Sequence, residues 1–222
     1  WVQETPKPLI GGLVALDYHI RKQRQQYPNS LLLDAGDICT GTPLSKIEYK
    51  GVKNGAFVEM MNMMGYDVFT PGNHEFDEGQ ENLEKLIDLA GFDVLSCNLF
   101  RNEELFAPEP YAIYVSNGVK IGVIGVLLQD LAGVAAIKNL KHLTVKSPAQ
   151  TVQPIINDID DETDVILVLT HQGIDPDLSL ADSLEQADII VGGHSHSRLT
   201  RPVVRNGVLV VQAGSKTRYL GR

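Results

Sequence analysis

Ile189-Ile190-Val191-Gly192-Gly193-His194-Ser195-His196 passes from an apolar run through two glycines into a pair of histidines. Branched residues suit a buried, pleated strand. The glycines permit a sharp exit that leaves polar side chains at the strand's end. The same plan recurs upstream. Residues 165–169 are apolar and end at Thr170-His171, and residues 67–70 lead into Pro71-Gly72-Asn73-His74. Residues 31–33 lead into Asp34-Ala35-Gly36-Asp37, and residues 94–96 into Cys97-Asn98.

Helical periods separate these strands. Leu13, Leu16 and Ile20 share one face, with Arg21, Lys22 and Arg24 near the helix end, where cations suit the helix dipole. Phe57, Met60, Met61 and Met64 follow the same spacing, with Gly65 as a stop. Leu83, Leu86, Ile87 and Ala90 form a third face, closed by Gly91. Ser147-Pro148 reads as a helix start, and Val152, Ile155, Ile156 and Ile159 as its apolar face; Pro154 is expected to kink that helix or mark its true beginning. Asn117-Gly118 and Asn206-Gly207, each between apolar runs, predict hairpins. The alternation predicts one α/β domain with helices on the faces of sheets that are not purely parallel.

The 222 residues, 43% hydrophobic, suffice for one large core. A net charge of −9 offers no basic face for duplex nucleic acid. The most apolar stretch, residues 121–128, is far short of the roughly 20 residues that span a bilayer. Cys39 and Cys97 have no C-x-x-C spacing, and the sequence leaves open whether they bridge. A start at Trp1 rather than Met is read as trimming from a longer chain.

Ligands in open α/β sheets bind beyond the carboxyl ends of strands. Asp37, Asn73, Asn98, His171, His194 and His196 all follow apolar strands here. A carboxylate such as Asp37 can bridge two divalent ions. Imidazoles from His171, His194 and His196, with the Asn73 amide oxygen, bind first-row metals without piling up negative charge. Plainer roles compete. His171 alone is equally well a structural histidine, and Gly72-Asn73-His74-Glu75-Phe76-Asp77 reads also as a polar turn with Asp77 capping a helix, a role compatible with the functional one. His19 and His142 read as surface histidines, and Asp34 and Glu75 as supporting groups. A zinc peptidase would carry H-E-x-x-H, which this sequence lacks.

Gly36-Asp37, Gly72-Asn73-His74-Glu75, Thr170-His171 and Gly193-His194-Ser195-His196, in this order, resemble the blocks of the calcineurin-like metallophosphoesterases. Asp37-Ile38-Cys39-Thr40-Gly41-Thr42-Pro43, Phe76-Asp77 and Gln212-Ala213-Gly214 resemble the 5'-nucleotidase branch, which includes UDP-sugar hydrolases and 2',3'-cyclic-nucleotide phosphodiesterases. The resemblance implies a four-layer αββα sandwich and two divalent ions (Mn, Zn, Fe or Co). It implies hydrolysis of a small phosphate ester such as a nucleotide, in the periplasm, at the cell surface or outside the cell. Asp37 matches the bridging carboxylate, and Asn73, His171 and His194 match the other ligands of the second metal. His196 matches a ligand of the first. His74 matches the histidine that assists catalysis, oriented by Asp77, and Asn73 and His74 match residues that contact substrate. Relatives open with a strand ending in D-x-H, and no such motif precedes Gly11-Gly12-Leu13. Residues 1–222 are therefore read as one catalytic domain without that first strand and without a downstream substrate-binding domain. The alternative is a metal-binding module that does not catalyse.

Overall fold

The structure, a computed structural model, describes residues 11–39, 45 and 47–222. The start at Trp1 and residues 40–43 of the nucleotidase-like block lie outside these. The chain opens with α1 (Leu13–Gln26), β1 (Leu33–Asp34), the hairpin β2 (Glu48–Tyr49) and β3 (Val52–Lys53), α2 (Gly55–Met64), β4 (Val68–Phe69), α3 (Gln80–Leu89) and β5 (Asp93–Val94). A second small sheet holds β6 (Leu99–Arg101) and β7 (Glu104–Leu105), followed by the hairpin β8 (Tyr111–Ser116) and β9 (Val119–Leu127). After the short turn α4 (Leu131–Val134) come β10 (Leu143–Val145), α5 (Pro148–Ile159), β11 (Val165–His171) and α6 (Ile174–Ser183). The chain then runs through β12 (Ile189–Gly192), β13 (Val203–Arg205) and β14 (Val208–Gln212).

Side-chain alternation along the strands builds the layers. On β11, Ile166 and Val168 pack with Val152, Ile156 and Ile159 of α5 and Leu180 of α6. Leu167 and Leu169 point the other way, toward Val68 of β4 and Leu95 after β5. On the first sheet, Phe69 and Val94 face Ile20 of α1 and Met61 and Met64 of α2. Two helical layers thus enclose two facing sheets, the sandwich that the sequence resemblance implied. The larger sheet has the order β13-β14-β12-β11-β9-β8. Its inner strands β14, β12, β11 and β9 are parallel, and β13 and β8 are antiparallel edges. Both edges are made by the predicted Asn-Gly hairpins, whose turn residues all have positive φ, as a two-residue hairpin of this kind requires. The smaller sheet, β1-β4-β5, is wholly parallel.

Several local expectations change. The α5 helix runs unbroken through Pro154. The α6 helix, unforeseen in the sequence, starts with Pro176 in its first turn, where the missing N–H has no intrahelical partner to lose. Cys39 and Cys97 are free, buried thiols in different clusters. Asn98 does not join the other strand-end residues. It is fully buried and clamps the backbone, accepting from Leu127 N–H (2.9 Å) and donating to the carbonyls of Leu127 (2.7 Å) and Lys146 (3.2 Å). Asn98→Ala should therefore lower stability by roughly 3 kcal/mol, since each orphaned buried group costs about 1–3. A urea-unfolding midpoint equal to that of the unmodified protein would show the clamp to be idle.

A candidate metal centre

The carboxyl ends of the two sheets face one site. Asp37 leaves β1 three residues after its end and adopts a left-handed backbone, φ 65°. Asn73 follows β4 and begins the tight turn His74–Phe76. His171 ends β11, and His194 lies two residues beyond β12, also left-handed at φ 71°. Left-handed geometry in a non-glycine residue costs of order 1–3 kcal/mol and persists only where surrounding contacts enforce it.

The four side chains converge. Asp37 Oδ2 lies 3.1 Å from His171 Nε2. Asn73 Oδ1 lies 3.3 Å from the same nitrogen and 3.0 Å from His194 Nδ1. The two imidazole nitrogens are 3.2 Å apart, and the rings meet edge to face. Donor atoms of Asp37, His171 and His194 all fall within 4.8 Å of one another. His171 Nδ1 faces the Ala35 carbonyl. A carbonyl can only accept, so Nδ1 carries the proton and neutral His171 turns the Nε2 lone pair toward the cluster. The structural role weighed for His171 and the ligand role thus use different ring nitrogens.

Charge balance points the same way. Burial opposes ionisation of Asp37, but the His171 imidazole and the His74 N–H (2.9 Å) outweigh it and hold the carboxyl below its ordinary range. Burial alone would lower His171, and the Asp37 carboxylate raises it instead. Burial and the neighbouring His171 lower His194. Asp34 is pushed up to about 7, mainly by burial and also by the charges of Glu75 and Asp37. Burial, then Asp37, raises Glu75. Three carboxyl groups thus crowd a desolvated pocket beside two imidazoles, and a divalent cation would relieve the carboxyl groups' mutual repulsion. With two imidazole nitrogens, an amide oxygen and a carboxylate, the donor set fits a first-row divalent ion.

Glu75 plays the supporting role that the sequence suggests, as a clamp. Its side chain is buried and accepts four backbone N–H groups: Asp37 (2.9 Å) and Gly72 (2.6 Å) on Oε2, Ile38 (2.8 Å) and Cys39 (3.2 Å) on Oε1. It ties the loop after β1 to the loop after β4. Gly72 permits that approach, because a Cβ there would meet Asp37 Oδ1 at 2.4 Å. The sequence signal was an acidic residue beside the candidate ligands, and only the fold shows what it grips.

The remaining candidates lie at the rim. His74 Nδ1 is 2.9 Å from Asp77 Oδ2, both half-exposed. Asp77 closes the turn His74–Phe76 through its backbone N–H, and its side chain does not cap α3, which begins after Gly79 without a side-chain cap. His196 is exposed and left-handed at φ 56°, and it stands outside the cluster, although its charge acts on His194. His19 and His142 are exposed.

A family profile described as Calcineurin-like phosphoesterase matches residues 9–198. A 5'-nucleotidase of Vibrio cholerae is 31% identical over 86% of this chain and 40% of its own length. A 5'-nucleotidase of Rattus norvegicus is 31% identical over 86% of this chain and 33% of its own. Among solved structures, a 5'-nucleotidase precursor from Thermus thermophilus superposes with a TM-score of 0.82 at 30% identity, over 92% of this chain and 43% of that one. The NAD nucleotidase of Haemophilus influenzae superposes at 0.80 and 29% identity, over 94% and 45%. The chain thus spans less than half the length of these relatives.

Proposed function

Because the chain belongs to the calcineurin-like phosphoesterase family, we propose that it is the metal-dependent catalytic part of a hydrolase acting on small phosphate esters, nucleotides foremost. The convergence of Asp37, Asn73, His171 and His194 from two sheets carries this reading. The names of the relatives, 5'-nucleotidase and NAD 5'-nucleotidase, support nucleotides as the substrate class. A site in the periplasm, at the cell surface or outside the cell is part of the same reading. No helix among the described residues is long and apolar enough to cross a membrane.

Asp37, Asn73, His171 and His194 would hold one divalent ion, and His196 with Asp37 would contribute to a second. Bound ions supply Lewis-acid stabilisation of phosphoryl charge and an activated water nucleophile. The chain's own residues do the rest. Asp77 fixes the His74 ring through Nδ1, leaving Nε2 to face a substrate at the rim. From there His74 stabilises charge on the phosphoryl oxygens and gives a proton to the leaving alkoxide. Asn73, beside it, reaches the same phosphate. His74→Ala leaves the His74 backbone N–H on Asp37 untouched. It should keep metal affinity and lower kcat about 10²–10⁴-fold. Unchanged turnover in this variant would remove His74 from the mechanism.

The position of His196 outside the cluster favours a second reading, a metal-binding module without catalysis. One experiment separates the two: metal titration by calorimetry with Mn²⁺, Zn²⁺ and Co²⁺, followed by phosphate-release assays on nucleotides, UDP-sugars and cyclic nucleotides, with and without chelator. Chelator-sensitive hydrolysis is expected. Metal uptake without hydrolysis would leave the module, and absence of both would end the metal reading.

A further inference from the structure

Behind the cluster lies a polar network that the proposed chemistry does not use. Asp177, fully buried in the first turns of α6, receives hydrogen bonds from Thr170 Oγ1 (2.6 Å), Gln172 Nε2 (3.1 Å) and Gln212 Nε2 (2.9 Å). The first two flank His171 at the end of β11, and Gln212 ends β14, on the far side of β12. Gln212 then uses its other end, Oε1 accepting from Ser195 Oγ (2.9 Å). Ser195 Oγ in turn accepts from Ile174 N–H at the start of α6 (3.1 Å) and meets Ser197 Oγ (3.0 Å). Ser195 is the residue between the left-handed His194 and His196. Gly192 leaves the corridor open, because a Cβ there would sit 1.9 Å from Asp177 Oδ2 and 2.7 Å from Gln212 Nε2.

The network has one direction. A carboxylate only accepts, so Gln212 must present its NH₂ to Asp177 and its carbonyl to Ser195. Ser195 must then donate to Gln212, and Ser197 to Ser195. The buried acceptor at the far end thereby sets the hydroxyl orientation, and with it the position of the loop that carries His194. The geometry points to Asp177, Gln212 and Ser195 as a positioning relay that fixes His194, and with it His196, for ligand binding. This deepens the metal reading above and rests on it. The relay also gives a physical role to Gln212, noted in the sequence only as part of a motif.

Ser195→Ala and Ser195→Thr test the relay. Ser195 is exposed, so loss of its hydroxyl should leave the unfolding midpoint almost unchanged. Ser195→Ala should raise the Mn²⁺ concentration for half-saturation about 10-fold, the lower end of what loss of a ligand's outer partners costs. Amide exchange at residues 193–197 in the metal-free protein should quicken several-fold. Threonine keeps the hydroxyl and should restore both. Asp177→Asn reverses the acceptor at the far end, so Asp177→Asn and Ser195→Ala together should cost less than the sum of their separate effects on half-saturation. Wild-type exchange and wild-type half-saturation in Ser195→Ala would overturn the relay while leaving the metal reading intact. If the unmodified protein bound no metal, that reading would fail, and the exchange comparison alone would still decide the relay.

Discussion

Asp37→Asn is expected to reduce metal-dependent phosphate release by at least about 10³-fold, equivalent to roughly 4 kcal/mol, while leaving the fold in place. The substitution is nearly isosteric. The oxygen of the new amide can still accept the His74 N–H that Asp37 Oδ1 accepts now. Among the described residues, the change removes the one carboxylate grouped with both imidazoles of the cluster and turns an amide NH₂, which cannot bind a cation, toward His171 Nε2. The metal-free protein loses the Asp37–His171 contact but also sheds one of three crowded carboxyl groups. These effects oppose each other, so its unfolding midpoint should move by no more than about 5 °C. Calorimetric titration with Mn²⁺ and a thermal scan of the same sample check both halves. Wild-type affinity in Asp37→Asn would remove Asp37 from the ligand set.

Glu75→Gln should be costly in a different way. A carboxylate offers two acceptor oxygens to the four N–H groups on Glu75. An amide offers one, and its NH₂ must face either the Asp37 and Gly72 N–H groups or those of Ile38 and Cys39. Two buried donors lose their partner in either orientation, at about 1–3 kcal/mol each. Stability should fall by roughly 3 kcal/mol, and metal affinity with it, because the left-handed Asp37 is held in place by these bonds. Relief of carboxylate crowding offsets only part of this. Denaturant unfolding with and without metal separates the two: Asp37→Asn loses affinity at nearly constant stability, and Glu75→Gln loses both. A Glu75→Gln protein as stable as its parent would mean that the clamp is not what holds the loop.

Much of the layered fold is readable in the sequence because burial repeats with the period of each element. The two Asn-Gly turns forecast the antiparallel edges, and the strands that lead to Asp37, Asn73, His171 and His194 forecast the side chains that meet. Helix α6 is harder to read because Ile174, Leu178 and Ala181 are interspersed with Asp175, Pro176 and Asp177, a composition that suits a loop until packing selects the helix. Asn98 follows a strand just as the site residues do, so its local sequence does not set it apart. Only the course of β9 and of the chain after β10 shows that its polar atoms are already taken. The clamp of Glu75 and the buried acceptor of Asp177 involve backbone or side chains far away in sequence, which no local pattern encodes.

Half of the cluster stands on one sheet and half on the other. Asp37 and Asn73 belong to the small sheet, His171 and His194 to the large one, and between them lies the seam of Val68, Leu95, Val123, Leu167 and Leu169. Ion affinity is therefore a strain gauge for the mating of these two plates. A smaller side chain at Leu167 that lets them slide by a fraction of an ångström would surface first as weakened chelation, well before the molecule melts.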